Sequence, residues 1–301
     1  MPAWLRAIRL PFLTATAVPV ALGSTAAWHD TGGFLWPRFW IAAVGALLIH
    51  IGVNLANEYG DHVTGNDAAN LTPTPVSGGS RVIQEGLIAP RAILGASLAS
   101  LVLGGCLGLY LNAVVRGNVI LALGLIGIFL GYFYSGSPLR LGYRGLGEVA
   151  VAVGFGPLTV VGSYYVQVES LSGRAFLISL PVGILIALVL LINGFPDHDA
   201  DLATGKRTLV VLLGRRRAVA LYHALLLAAY TSVATLVAVH ALPPFALIAF
   251  LSLPLARRAY VVSRDNYDRL HGLLPANVAT IGLHSLVGLL MILGFALDRL
   301  V

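Results

Sequence analysis

Charge is almost missing from nine long stretches of this 301-residue chain. Residues 11–28, 39–57, 92–111, 119–135, 146–166, 175–192, 218–240, 245–259 and 275–297 hold only Glu148, Arg257 and Arg258 as acidic or basic residues. A bilayer core is crossed by ~20 predominantly apolar residues, and the nine stretches lie near that length. Hydrophobic residues make up 57% of the chain and charged ones 11%, against about 25% charged in soluble domains. A soluble globule of this size buries only about 75% of its unfolded surface. A cytosolic enzyme, a disordered chain and a secreted disulfide scaffold are therefore excluded. The expected architecture is all-α: a polytopic membrane protein with nine transmembrane helices around a central cavity, capped by cytoplasmic loops, in a single domain over residues 1–301. Arg6 and Arg9 before the first stretch give it the look of a signal peptide. Its length exceeds the usual ~7–15-residue apolar region, so a retained first helix is expected.

Basic residues decide the orientation. There are nineteen, and only Lys206 is a lysine. With the N-terminus in the cytoplasm, four (Arg38, Arg116, Arg174 and Arg299) fall outside and fifteen inside, a strong positive-inside asymmetry. This predicts an inner (cytoplasmic) membrane protein with its C-terminus outside. It also explains the net charge of +6 without nucleic acid as a partner. Cys106 is the one cysteine and sits in an apolar run, where it is expected as a small buried hydrophobe; disulfides and cysteine metal sites are excluded.

The long inner connections, residues 58–91, 193–217 and 257–274, also carry most of the acids, and loops of that length are usually functional. Two of their acidic clusters match. Asn57-Glu58-Tyr59-Gly60-Asp61-His62 and Asn193-Gly194-Phe195-Pro196-Asp197-His198 both read Asn-x-aromatic-x-Asp-His. The copies close the second and sixth spans, which run in the same direction, as an internal parallel repeat would. Asn57 and Asp61 are i and i+4; Asn193, Asp197 and Asp201 are i, i+4 and i+8. If the helices continue beyond the bilayer, each set lies on one face. Two facing rows of carboxylates repel in a low dielectric unless cations lie between them. Oxygen donors without His or Cys suit Mg²⁺, which takes one or two carboxylates and completes its octahedron with water and phosphate oxygens. Lys206 and Arg207 follow the second motif, and Arg81, Arg140 and Arg144 lie on other inner loops. Acids and bases on one face point to a metal-bridged polyanion, most simply a diphosphate. A solvated charged loop would explain one such motif, but not two matching copies at equivalent helix ends.

At these residues the chain resembles the UbiA superfamily of intramembrane prenyltransferases, and most of all its MenA-like branch, which prenylates 1,4-dihydroxy-2-naphthoate. Residues 54–67, 131–157 and 193–214 carry the likeness. The resemblance implies that Asn57, Asp61, Asp67, Asn193, Asp197 and Asp201 bind Mg²⁺ and the diphosphate of a polyprenyl donor. It also implies that Lys206 and Arg207 hold the diphosphate and that Arg140 supplies another cation; Arg81, on an inner loop, is expected to bind the same group. Glu58 stands where Asp is common, Gly194 where a polar residue is frequent, and Asp199 is an extra acid.

The implied reaction is Mg²⁺-dependent transfer of a polyprenyl group to an aromatic acceptor through an allylic carbocation. Asp61 and Asp197 act at its centre, and Tyr132 and Tyr134 offer π faces to the cation, or else form an interfacial aromatic belt. The partners are the polyprenyl diphosphate, the acceptor and membrane lipid. Other acceptors (4-hydroxybenzoate, homogentisate, a glycerol phosphate lipid, haem) are not distinguished by spacing. A secondary transporter would place its charges at mid-membrane, and these spans have none there. A CDP-alcohol phosphotransferase needs an Asp-Gly-x2-Ala-Arg element, which does not occur. His62 and His198 read as proton shuttles or polar loop residues, and His50 and Asn54 as a site or a helix–helix bond. Glu148 reads as an i, i+4 anchor with Arg144. The pairs Gly104/Gly108 and Gly127/Gly131 read as helix-packing positions.

Overall fold

The computed structural model describes residues 2–70, 74 and 77–301, apart from the side chain of Leu270. Its helices, in chain order, are α1 (Ala3–Ala7), α2 (Thr14–Thr31), α3 (Trp36–Val63), α4 (Asn66–Ala69), α5 (Pro90–Val114), α6 (Val119–Ser135), α7 (Gly147–Val153), α8 (Thr159–Val168), α9 (Gly173–Ala203), α10 (Leu209–Leu213), α11 (Arg215–Ala238), α12 (Leu253–Asn266) and α13 (Leu270–Leu300). Among the described residues, eight helical segments are long and apolar enough to cross a membrane. The ninth apolar stretch forms α6, which has 17 residues and falls short of that length. The chain is a multi-pass membrane protein.

Hydropathy sets where each helix sits. The most apolar window of α9 is 67% buried, and that of α5 only 17%. α9 is thus the central strut, and α5 turns Leu98, Val102, Leu103 and Leu109 outward, as a lipid-facing helix does. Around α9 the core joins Leu185, Leu188 and Ile192 to Tyr222 of α11 and to Leu283, Val287 and Met291 of α13. Tyr222 and Thr280 share a buried hydroxyl–hydroxyl bond of 2.6 Å, which satisfies both groups inside the bundle, as lipid requires. The span between Gly147 and Val168 is broken into α7 and α8 by a wide turn over Gly154–Leu158. Pro157 lies in that turn and has no N–H to give a regular helix.

Small residues act at two of the four expected packing positions. A Cβ on Gly104 would lie 2.9 Å from the Gly45 carbonyl, and one on Gly131 would lie 2.9 Å from Val53. Gly108 and Gly127 have nothing within 4 Å and instead border an apolar cavity of ≈490 Å³. Cys106, expected as a buried hydrophobe, is exposed on α5; a peripheral helix turns most of its positions to lipid.

The two ends of the bundle differ in how charge is handled. At the end where α3 and α9 begin, Arg38 pairs with Glu169 at 2.8 Å, His29 with Asp298 at 2.9 Å, and Arg174 with Asp30. Tyr164 donates to Asp30 at 2.9 Å, and the Leu35 N–H donates to the Gln167 side chain at 2.8 Å. These bonds fasten the turns between helices. Trp36 and Trp40 are exposed there, 59% and 58%, matching the tryptophan enrichment of membrane interfaces.

Candidate active site

The opposite end holds both acidic motifs. α3 continues to Val63 and α9 to Ala203, so each motif is helical and its asparagine and aspartates share one face. Asn57 Nδ2 donates to Asp61 Oδ2 at 3.3 Å, and Ser135 Oγ donates to Asn57 Oδ1 at 2.5 Å. Tyr143 donates to Asp61 Oδ1 at 3.0 Å. On the other side Asn277 of α13 donates to Asn193 Oδ1 at 2.8 Å. Asp67 stands apart from the helical row: a turn at Gly65 starts the separate helix α4, which returns it to the cavity.

α4 bridges the two motifs. Asn66 Nδ2 donates to Asp201 Oδ1 at 3.1 Å, and Asn70 Nδ2 to Asp197 Oδ1 at 2.9 Å. Gly79 closes over Asp67. Its φ is +74°, and a Cβ there would lie 2.6 Å from both carboxylate oxygens. After α9, the left-handed Gly205 (φ 75°) turns the chain back, and the Lys206 N–H bonds to the Asp201 carbonyl at 2.8 Å. Lys206 Nζ then stands 3.5 Å from Asp61 Oδ1 and 3.9 Å from Asp201 Oδ1. One ammonium therefore touches both rows, which fixes them as opposing walls of one cavity.

That cavity, ≈220 Å³, is bordered by Asn57, Asp61, Asp67, Asn193, Asp197, Asp201 and Lys206, with Tyr134, Arg9 and Glu148. Asp61, Asp67 and Asp201 are 4%, 2% and 2% exposed, so the carboxylates are held out of water; among the described residues two cations, Arg9 and Lys206, line the same space. Burial, with Asp61 and Glu58 nearby, pushes the Asp67 carboxyl up to about 7. Burial works against the Lys206 ammonium, but Asp61 and Asp201 outweigh it and hold its pKa above the ordinary lysine value. Surplus hard oxygen donors in a low dielectric fit a divalent cation such as Mg²⁺. Among the described residues no three Asp, Glu, His or Cys side chains form a closed cage. An ion held by one or two carboxylates, with its other positions open to water and phosphate, is what such a donor set accommodates.

Several expected residues lie elsewhere. Tyr132 is 63% exposed and packs edge-on against Phe133. It is two positions from Tyr134, about 200° around the helix, so only one of the pair faces the cavity. Arg140 and Arg207 are exposed; Arg140 lies 5.7 Å over the Tyr143 ring, and the Arg207 N–H bonds to the Tyr143 carbonyl. Arg81 donates to the carbonyls of Asp67 and Asn70, bracing α4 without lining the cavity. The Glu148–Arg144 anchor does not form: Arg144 precedes the helix that starts at Gly147 and donates to the Pro138 carbonyl instead, while Glu148 is buried at the cavity wall. Asn54 donates to the Ile8 carbonyl. His198 pairs with Asp199, which also meets Arg215.

Arg9 was not singled out in the sequence. It enters the cavity because a left-handed turn (φ 54°) before residue 10 folds it inward, where it meets Glu58 at 3.3 Å. Ser80 completes the clasp on the fully buried Glu58 through its N–H at 2.9 Å and its hydroxyl at 2.6 Å. The available signal was position alone, a basic residue directly before the first apolar run. For Asn277 and His284 it was polar side chains inside the last one.

Comparison with known proteins gives the family and the fold. The UbiA prenyltransferase family profile matches residues 16–281, and the chain belongs to that family of membrane prenyltransferases. It is 34% identical over 242 residues to the 1,4-dihydroxy-2-naphthoate octaprenyltransferase of Bacillus subtilis (strain 168), covering 80% of this chain and 76% of that one. It is 32% identical over 294 residues to the 2-carboxy-1,4-naphthoquinone phytyltransferase of Synechocystis, covering 97% and 92%. The fold is similar to the UbiA homolog from Aeropyrum pernix K1, with TM-score 0.70, 16% identity and coverage of 95% and 97%. It is also similar to the Archaeoglobus fulgidus homolog bound to GPP and Mg²⁺, with TM-score 0.63, 16% identity and coverage of 96% and 99%.

Proposed function

We propose that this enzyme transfers a polyprenyl group from its diphosphate to 1,4-dihydroxy-2-naphthoate, a menaquinone-forming step. The observation that carries this reading is the meeting of the two acidic rows around Lys206, in a cavity that adjoins a larger apolar one. The two spaces share His50, Val53, Tyr134, Val151 and Phe155 as walls. A polar headgroup site next to an apolar space suits an amphiphile with a diphosphate at one end and isoprene units at the other. Each CH₂ buried there contributes ~0.8 kcal/mol. The two naphthoate-prenylating relatives support the acceptor.

Asp61, Asp67, Asp197 and Asp201, with Asn57 and Asn193, would hold Mg²⁺. Bound there, the ion supplies positive charge against the leaving diphosphate. Lys206 and Arg9 add N–H donors aimed into the same space, and such preorganised donors stabilise charge as it develops. The allylic C–O bond breaks and its electron pair leaves with the diphosphate. Tyr134 lines both cavities, and its ring would face the allylic cation. The acceptor carbon that bears the carboxylate forms the new C–C bond. Its bond to CO₂ then breaks, and that electron pair restores the aromatic ring.

The excess of basic residues near the carboxylate end supports a cytoplasmic site in the inner membrane, with the N-terminus inside. With α6 as a ninth crossing, the C-terminus lies outside. The test is to incubate purified protein with a polyprenyl diphosphate and a panel of aromatic acceptors, with and without Mg²⁺, and to identify products by mass spectrometry. A prenylated, decarboxylated naphthalenediol formed only with Mg²⁺ is the expected result; product from another acceptor alone would overturn the acceptor assignment.

A further inference from the structure

Two histidines line the floor of this cavity outside the two acidic rows. His50 on α3 and His284 on α13 are 7% and 2% exposed, and both border the cavity. His50 lies seven residues before Asn57. His284 lies seven residues after Asn277, whose side chain bonds to Asn193. Seven residues are close to two turns, about 10 Å. Each imidazole therefore shares a helix face with an asparagine at the level of the acidic rows and sits about 10 Å deeper in the membrane.

Their bonding is incomplete in complementary ways. His50 Nδ1 bonds to Thr16 Oγ1 at 2.8 Å, and the ring leans on Phe155 with centroids 4.6 Å apart. That leaves its Nε2 without a described partner. His284 bonds to no described residue, and its Nε2 is buried and unpartnered. A neutral imidazole offers one donor and one acceptor, and buried polar groups are normally satisfied. In the membrane such groups mark a substrate path.

We propose that His50 and His284 form the acceptor subsite, each hydrogen-bonding one hydroxyl of a dihydroxylated aromatic ring seated against Phe155. This rests on the reading that an aromatic acceptor is prenylated here. It gives that acceptor a place below the diphosphate, on the membrane side of Asp61 and Asp197 and near Tyr134. A hydroxyl at each end of the ring matches imidazoles supplied by two different helices.

The experiment pairs enzyme variants with acceptor analogues. His284→Leu, His284→Gln and His50→Leu are purified in detergent, and apparent KM is measured separately for donor and acceptor. His284→Leu is expected to raise the acceptor KM about tenfold, the usual order for one lost hydrogen bond, and to leave the donor KM within about twofold. His284→Gln, which keeps a donor and an acceptor, is expected to restore part of the loss. A merely structural role would raise both constants or neither, and either outcome overturns the proposal. Wild-type enzyme is also inhibited with the two monomethyl ethers of 1,4-dihydroxy-2-naphthoate. Each is expected to bind about tenfold more weakly than the parent, and each histidine variant to lose discrimination against one ether. Wild-type indifference to both ethers overturns the subsite even if no variant folds. If the wild type prenylates a different hydroxylated aromatic, the acceptor assignment fails while the same KM split on that compound still tests the histidines.

Discussion

The two ends of this bundle use the same kinds of side chain to opposite effect. Where α3 and α9 begin, Arg38, Arg174 and His29 each meet a carboxylate, and the acids are matched by bases at close range. Where the same helices finish, Asp61, Asp67, Asp197 and Asp201 share a cavity in which Lys206 and Arg9 are the cations among the described residues. Matched charge holds turns in place. Unmatched charge inside a membrane protein is costly to leave alone, so it marks the end built to receive a cation and an anion together.

The sharpest way to break this contrast is to neutralise the unmatched end. Asp61→Asn or Asp197→Asn is expected to lower kcat by about 10²–10³-fold, the scale of losing one preorganised charge-stabilising group. Melting temperature is expected to stay level or rise, because repulsion is removed. A variant with near-normal Mg²⁺-dependent turnover would refute the ligand assignment. Lys206→Ala is next in size: about a tenfold rise in donor KM with acceptor KM unchanged, read by steady-state kinetics. Arg207→Ala and Arg140→Ala should change donor KM by less than about threefold, because both side chains are exposed outside the cavity.

The charge surplus also predicts a pH effect. Asp67 sits at about 7 in the fold, above the ordinary carboxylate value of about 3.9. The unfolded chain therefore ionises first, and metal-free stability is expected to fall as pH rises from about 4 to 7. Mg²⁺ favours the ionised form, so the rise in melting temperature on adding it should be larger at pH 8 than at pH 6. An equal rise at both would argue against Asp67 as a ligand. The smallest effect belongs to the matched end. Arg38→Ala removes a pair whose side chains are 24% and 25% exposed and is expected to cost about 1 kcal/mol or less. Thermal unfolding should register it while kcat stays within about twofold.

How much of this was legible in the sequence followed helical periodicity. Asn193, Asp197 and Asp201 could be put on one face because α9 runs unbroken through them, and Asn57 with Asp61 likewise. The same rule separates Tyr132 from Tyr134, since two positions along a helix point nearly opposite ways. Periodicity is silent where the chain leaves the helix. Arg140 and Arg81 adopt left-handed backbone conformations (φ 45° and 64°), and nothing in residue spacing indicates which way such side chains turn. Arg9 and His284 were hidden for another reason. They reach the site from opposite ends of the chain, so their proximity is a property of tertiary packing.

Lys206 bears on the last stage of a catalytic cycle. Its ammonium spans Asp61 and Asp201. On the proposed reading, a bound diphosphate would offer that ammonium phosphate oxygens in place of the carboxylates. On the headgroup's departure the lysine would return to Asp61 and Asp201, so a side chain with a partner before and after release would ease the loss of pyrophosphate.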